Sequence, residues 1–223
     1  NGWFYQGWYG NGWKKRNKQL INIHKKSKLV IYQSKFCKET SIRLNSYFAK
    51  KNKIIHNCVP SLHKDSRIVT NNYFLISGVF DQNSEHILRP ALDAFINLSK
   101  KYDYKKDKIK LIIAGYFTKS AKYSKWYKKI NKKINLLLLK DLVEIRGKYL
   151  NKNFFNKFND INFSLHLKYK DPCPNAVLER MDLGIIHIFS NSGGTPELIG
   201  NAGLGINVKD SWNSQISVNH KTL

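Results

Sequence analysis

Residues 73–115 read YFLISGVFDQNSEHILRPALDAFINLSKKYDYKKDKIKLIIAG. Two apolar runs, 73–77 and 108–114, each end on a glycine, Gly78 and Gly115. From about Ile87 to Lys101 the intervening segment reads as a helix. Strands rich in Ile, Leu and Val, each followed by a helix of this length, argue an α/β fold. Its parallel sheet is covered on both faces.

The same rhythm runs on toward the C-terminus. A Lys-rich helix is expected over about 121–138, a strand at 142–146 ending in Gly147, and a short helix over about 151–159. Strand 161–167, a helix carrying Glu179, strand 185–189, a Gly193-Gly194 turn opening a short helix, and a run at 203–208 close the series. Upstream, 28–33 and 53–56 read as strands around a helix at 36–50, with Ser34 as its N-cap. Residues 61–72 are polar and irregular and read as a linker. That divides the chain into 1–60, the linker, and 73–223. Residues 1–13, NGWFYQGWYGNGW, show neither helical nor strand period and read as an aromatic loop. Such a loop covers a core edge or stacks on a sugar or base.

Composition narrows the class. The 223 residues are 42% hydrophobic, which argues against disorder. The formal net charge is +24, carried almost entirely by lysine; there are six arginines. Lys, Asn and Ile all have A/T-rich codons, so coding bias on a solvated surface is one reading of the whole charge, and a functional partner is the other. The functional reading is attraction to a phosphorylated ligand or an anionic membrane surface. Base readout and phosphate clamping favour Arg, which argues against nucleic acid as a partner. A lysine-rich nucleic-acid-binding α/β protein stands as the alternative from another class. Cys37, Cys58 and Cys173 are far apart and form no CxxC pair, so neither zinc nor a disulfide scaffold is indicated. A reducing cytoplasm is the default expectation. No apolar run is long enough to span a bilayer. The first residue is Asn, and the chain reads as a piece of a longer protein.

The chemistry concentrates in Asp171-Pro172-Cys173-Pro174-Asn175-Ala176-Val177-Leu178-Glu179, followed by Ser192-Gly193-Gly194-Thr195-Pro196-Glu197. A residue before proline is pushed away from helix, so Asp171 and Cys173 are expected to be extended. Pro174 suits the first helical position. The amides of Asn175 and Ala176 then point back toward Asp171, and unpaired amides at a helix start favour anions and hydroxyl oxygens. Glu179 lies about 7.5 Å further along the axis, a spacing that lets it reach a neighbouring ribose. Glu197 is placed to orient the glycine turn or cap a nearby helix.

The stretch from Leu165 to Val208 resembles the nucleotide-sugar-binding segment of the retaining glycosyltransferases of family four, or glycosyl transferases group 1. Their GT-B architecture sets two Rossmann-like domains across a cleft. The shared pattern is Asp171, Glu179, Gly184, Gly193, Gly194 and Glu197. Residues 30–36 and 54–59 are similar to the end of the family's acceptor domain, and 73–80 and 108–115 to the start of its donor domain. The resemblance thus implies an acceptor-side remnant at 1–60 and a donor-binding domain at 73–223, truncated at its C-terminus.

It also implies transfer of a sugar from a nucleotide-diphosphate donor, with retention, to a glycan or lipid-linked acceptor. No cofactor and no metal are expected. Asp171 and Glu179 would carry the central roles, Glu179 on the donor ribose and Asp171 on sugar hydroxyls. Donor contacts would come from His166, Lys168, Pro174, Asn175, Ala176, Gly78, Gly193, Gly194 and Glu197. The chain departs from the pattern at Val79 and Ser84, where the family has an Arg and a Lys on the diphosphate. Lys168 and Arg89 are the candidate replacements. The departure also admits a catalytically inactive scaffold. Arg180 stands where the family packs a small residue, which reads either as a side chain turned to the surface or as the mark of a divergent member. The expected setting is cytoplasmic, at or near the inner face of the membrane.

Overall fold

The computed structural model describes residues 2–59, 69–136, 139–149, 157–209 and 212. In chain order the elements begin with helices α1 (Gln6–Tyr9) and α2 (Trp13–Lys26), strand β1 (Val30–Tyr32), helix α3 (Lys35–Asn45) and strand β2 (Asn52–Ile54). There follow β3 (Asn72–Phe80), α4 (Glu85–Ser99), β4 (Ile109–Phe117), α5 (Lys119–Tyr123), α6 (Lys125–Leu136), a 3₁₀ turn (Leu139–Asp141) and β5 (Val143–Gly147). The last elements are β6 (Phe163–His166), α7 (Asn175–Asp182), β7 (Ile186–Ser190), α8 (Thr195–Ile199) and β8 (Gly203–Ile206). Most of the expected linker (61–68) and of the short helix near 151–159 (151–156) lies outside the described residues.

The main sheet has six parallel strands in the order β5-β4-β3-β6-β7-β8. The α/β reading with a parallel sheet therefore holds. Alternate residues of the central strands go to opposite faces. Ile76, Leu111 and Ile113 pack with Leu88, Leu92 and Phe95 of α4 and with Trp126, Ile130 and Ile134 of α6. Leu75, Ile112 and Ala114 pack on the other side with Phe158, Ile161, Leu183 and Ile185. Burial on both faces is why these strands read as continuous apolar runs. A small parallel pair, β1 and β2, forms a separate sheet with its own cluster of Trp3, Val30, Tyr32, Cys37 and Ala49.

Several local readings needed correction. The segment expected as one helix over 121–138 is broken at Ser124, which is extended (φ −68°, ψ 149°). Its hydroxyl accepts the Tyr127 amide at 3.2 Å, as an N-cap does, so a new helix starts there. The aromatic N-terminal stretch includes the short helix α1 and leads into α2. Trp3 and Tyr5 are buried, and the Trp3 indole donates to the Cys37 carbonyl at 3.1 Å. Pro174 is the N-cap of α7 (φ −73°, ψ 110°) rather than its first helical residue.

The strand order reverses direction between β3 and β6. In open α/β sheets that switch point, at the carboxyl ends of the strands, opens a crevice where ligands bind.

Candidate active site

A cleft of about 900 Å³ opens at this switch point. Its walls include Ser77 to Asp81 at the end of β3, His166 to Ala176 from the end of β6 to the start of α7, and Asn57 from the N-terminal segment. Among the expected site residues, Gly78, His166, Lys168, Asp171, Pro174, Asn175 and Ala176 all line it. Glu179, Arg89, Gly193, Gly194 and Glu197 do not.

Gly78 pairs in register with Gly115 on β4. A side chain at Gly115, whose φ is +132°, would strike the Gly78 carbonyl. At Gly78 itself a Cβ would meet nothing within 4 Å, so the backbone there faces open space.

Asp171 is nine-tenths buried, and its Oδ2 lies 2.9 Å from Lys168 Nζ. His166 Nε2 stands 3.9 Å from the same oxygen. Burial, reinforced by the positive charges of Arg180 and Lys168, holds the His166 imidazole well below its ordinary pKa, so it is neutral at pH 7. The carboxylate is therefore paired with lysine while the neutral imidazole lies nearby.

The loop carrying Asp171 is fixed from two sides. The Lys170 amide donates to Ser192 Oγ at 2.9 Å, and the Gly194 amide donates to the Asp171 carbonyl at 2.8 Å. A Cβ at Gly193 would collide with the backbone of Asp171, and one at Gly194 with the carbonyl of Pro172. The glycine pair thus admits a close backbone approach, and what it approaches is the Asp171 loop. From the other side, Asn57 donates to Asn175 Oδ1 at 2.6 Å and to the Cys173 carbonyl at 3.3 Å. The Asn175 side chain is occupied by that latch. No side chain caps α7; the Val177 and Leu178 amides bond the Pro174 carbonyl, which leaves the amides of Asn175 and Ala176 to a ligand or solvent.

Glu197 acts as a cap. Its two carboxylate oxygens accept the amides of Lys35 at 2.8 Å and Phe36 at 3.0 Å, at the start of α3, with His56 Nε2 at 3.4 Å. Arg89 forms an ion pair with Glu85 one turn earlier. Glu179 is partly buried on α7, and burial raises its carboxyl pKa against the opposing pull of Arg180.

One feature escaped sequence reasoning and another was seen only in part. Arg180 is wholly buried, bonded to Ser164 Oγ at 3.0 Å and to Ser77 Oγ. The cleft also carries an aromatic wall of Phe4, Tyr5, Trp8 and Trp212, with Lys170 Nζ over the Trp212 ring at 4.9 Å. The aromatic stretch at 1–13 signalled its Phe4, Tyr5 and Trp8; Trp212 gave no local signal. Among the described residues no group of three or more His, Cys, Asp or Glu could hold a metal ion, and no helix is long and apolar enough to cross a membrane.

No curated protein matches the sequence. Solved structures share the fold. Anabaena HepE in complex with UDP and glucose superposes with a TM-score of 0.66 at 17% identity, covering 88% of this chain and 53% of that one. Sucrose-phosphate synthase from Thermosynechococcus elongatus gives a TM-score of 0.65 at 18% identity, over 88% of this chain and 49% of that one. An E. coli structure described as trehalose-6-phosphate bound with UDP-2-fluoro glucose gives 0.62 at 11% identity, over 88% and 52%. The chain thus spans about half the length of these structures and shares their fold. Residues 60–219 match the model of the family described as glycosyl transferases group 1, and the chain belongs to that family.

Proposed function

We propose that this chain binds the nucleotide-sugar donor of a glycosyltransferase that transfers a hexose with retention. The observation that carries this reading is the meeting of three features at one cleft: the open backbone at Gly78, the buried Asp171 carboxylate, and the uncapped start of α7. An oxygen-rich anionic ligand matches all three. Amides at a helix start donate to phosphate or hydroxyl oxygens. A carboxylate takes sugar hydroxyls, and glycine lets the ligand lie against the sheet.

In this reading residues 73–223 are the donor-binding domain and 1–60 belong to the acceptor side. Asp171 and the amides of Asn175 and Ala176 hold the sugar, and Glu179 takes the ribose once the donor is seated. Lys168 and His166 face the donor from the end of β6. Catalysis is positioning plus stabilisation of charge on the departing diphosphate, with no protein nucleophile, cofactor or metal. The acceptor is a glycan or a lipid-linked glycan precursor. The lysine-rich α6 then suits an anionic membrane surface on the cytoplasmic side.

The test is calorimetric titration with UDP, GDP, ADP and dTDP and their hexose conjugates. Saturable binding of one series is expected. A folded protein that binds none of them would overturn the proposal. The stereochemistry of a transferred sugar, read by proton NMR of the product, tests retention separately.

A further inference from the structure

Arg180 is 1% exposed and its Nε has no hydrogen-bond partner; among the described residues no carboxylate forms a close ion pair with it, and Glu179 acts on it only at longer range. Its guanidinium is bonded to two serine hydroxyls, Ser164 on β6 and Ser77 on β3, and Ser77 Oγ lies 2.6 Å from the Tyr149 hydroxyl. Buried charges are ordinarily paired, because leaving water without a counter-ion is costly. The other cations near the cleft have partners: Lys168 is paired with Asp171, Arg89 with Glu85, and Lys170 lies over the rings of Tyr5 and Trp212. The end of β3 offers no positive charge of its own. Val79 is apolar and 71% exposed, and the Ser84 hydroxyl is tied to Asp81.

Position adds to this. Arg180 joins α7 to β3 and β6 across the switch point, and Ser77, which it contacts, lines the cleft beside Gly78. A serine oxygen can accept from both Arg180 and Tyr149 while its own O–H points to an anion. Its donor strength is then raised by the cation behind it. In the low dielectric below the cleft floor, a fixed charge acts with little screening.

We propose that Arg180 is the positive charge that faces the donor diphosphate, acting through Ser77 as a positioning residue that never touches the ligand. This rests on the nucleotide-sugar reading above. Diphosphate binding adds negative charge opposite Arg180, beyond what Glu179 supplies at longer range, so Arg180 discriminates a nucleoside diphosphate from its nucleoside.

The experiment compares affinities for UDP, GDP, ADP and dTDP with those for the matching nucleosides, in the wild-type protein, Arg180→Met and Arg180→Lys. In Arg180→Met the diphosphate is expected to bind about tenfold to a hundredfold more weakly, with nucleoside affinity unchanged. Arg180→Lys is expected to retain most of the difference. The thermal midpoint of Arg180→Met is expected to hold or rise, because an apolar side chain replaces a buried charge. A merely structural arginine would instead lower the midpoint and leave the diphosphate preference intact, and that result overturns the proposal. If Arg180→Met does not fold, Arg180→Gln keeps a hydrogen bond without the charge; retention of the diphosphate preference there overturns it equally. A wild-type protein that binds no nucleoside diphosphate sinks the underlying functional reading as well, so the two failures are distinguishable.

Discussion

Glu197 and Lys35, 162 residues apart in sequence, meet through a hydrogen bond of 2.8 Å from the Lys35 amide to the Glu197 carboxylate. The second oxygen of Glu197 takes the next amide, Phe36. A carboxylate at a helix start satisfies orphan donors and complements the helix dipole. Removing it in Glu197→Ala is expected to cost about 1–2 kcal/mol of stability. Denaturant unfolding would measure the loss. Amide exchange should place it at Lys35 and Phe36, with little change in the core of the main sheet.

The glycine pair is expected to be intolerant of any side chain. Gly193→Ala must displace the Asp171 loop, and its positive φ of 75° adds backbone strain. A loss of about 2–3 kcal/mol is expected, together with weaker donor binding because Asp171 moves. Gly184→Ala is the control. Its φ is also positive, but nothing lies within 4 Å of the added carbon, so donor binding should survive.

Glu179 sets binding against stability. Because its folded-state pKa is raised, the folded protein holds the proton longer than the unfolded chain, so stability falls as pH rises through the folded value. Glu179→Gln is therefore expected to be more stable than wild type at pH 7, with the gain vanishing below the ordinary carboxylate range. In the proposed function, Glu179→Ala weakens donor binding by about 1–3 kcal/mol. Paired unfolding and titration curves would show whether the two effects run in opposite directions.

His187 sets an acid limit. Burial, with the nearby charge of Arg180, lowers its pKa to about 4. The unfolded chain takes up a proton near pH 6.5 and the folded protein only near pH 4. The stability from keeping this ring neutral is thus complete above pH 6.5 and is lost as pH falls toward 4. The loss amounts to roughly 3 kcal/mol. Replacing the ring with a neutral isostere, His187→Gln, should flatten urea midpoints between pH 7 and pH 5 relative to wild type.

Features set by local period, and by residues with narrow backbone tolerance, were legible in the sequence. The runs at 73–77 and 108–114 announced β3 and β4 because both faces of those strands are buried. Ser34 was readable as a cap, and its hydroxyl accepts the Cys37 amide at 3.1 Å. The Asp171 turn was visible from its prolines. Partnerships were not visible. Nothing near Glu197 in the chain points to Lys35, and nothing near Arg180 points to Ser77, because both pairs are made by packing of distant segments. Arginine is charged, so position 180 suggested either a side chain turned to the surface or a divergent member of the family. Two serine hydroxyls on neighbouring strands are what admit it to the interior. Helix α2 passed unread because it is strongly polar, and its buried residue is Asn17, which holds both backbone groups of Phe4.

The latch from Asn57 to the segment 173–175 carries a practical consequence. The family match begins at residue 60, yet the brace that steadies the start of α7 is anchored three positions before it. Trimming the protein to the matched region would remove that strut, along with the amides that Glu197 caps. The shortened protein would keep every motif letter while losing the frame that aims them.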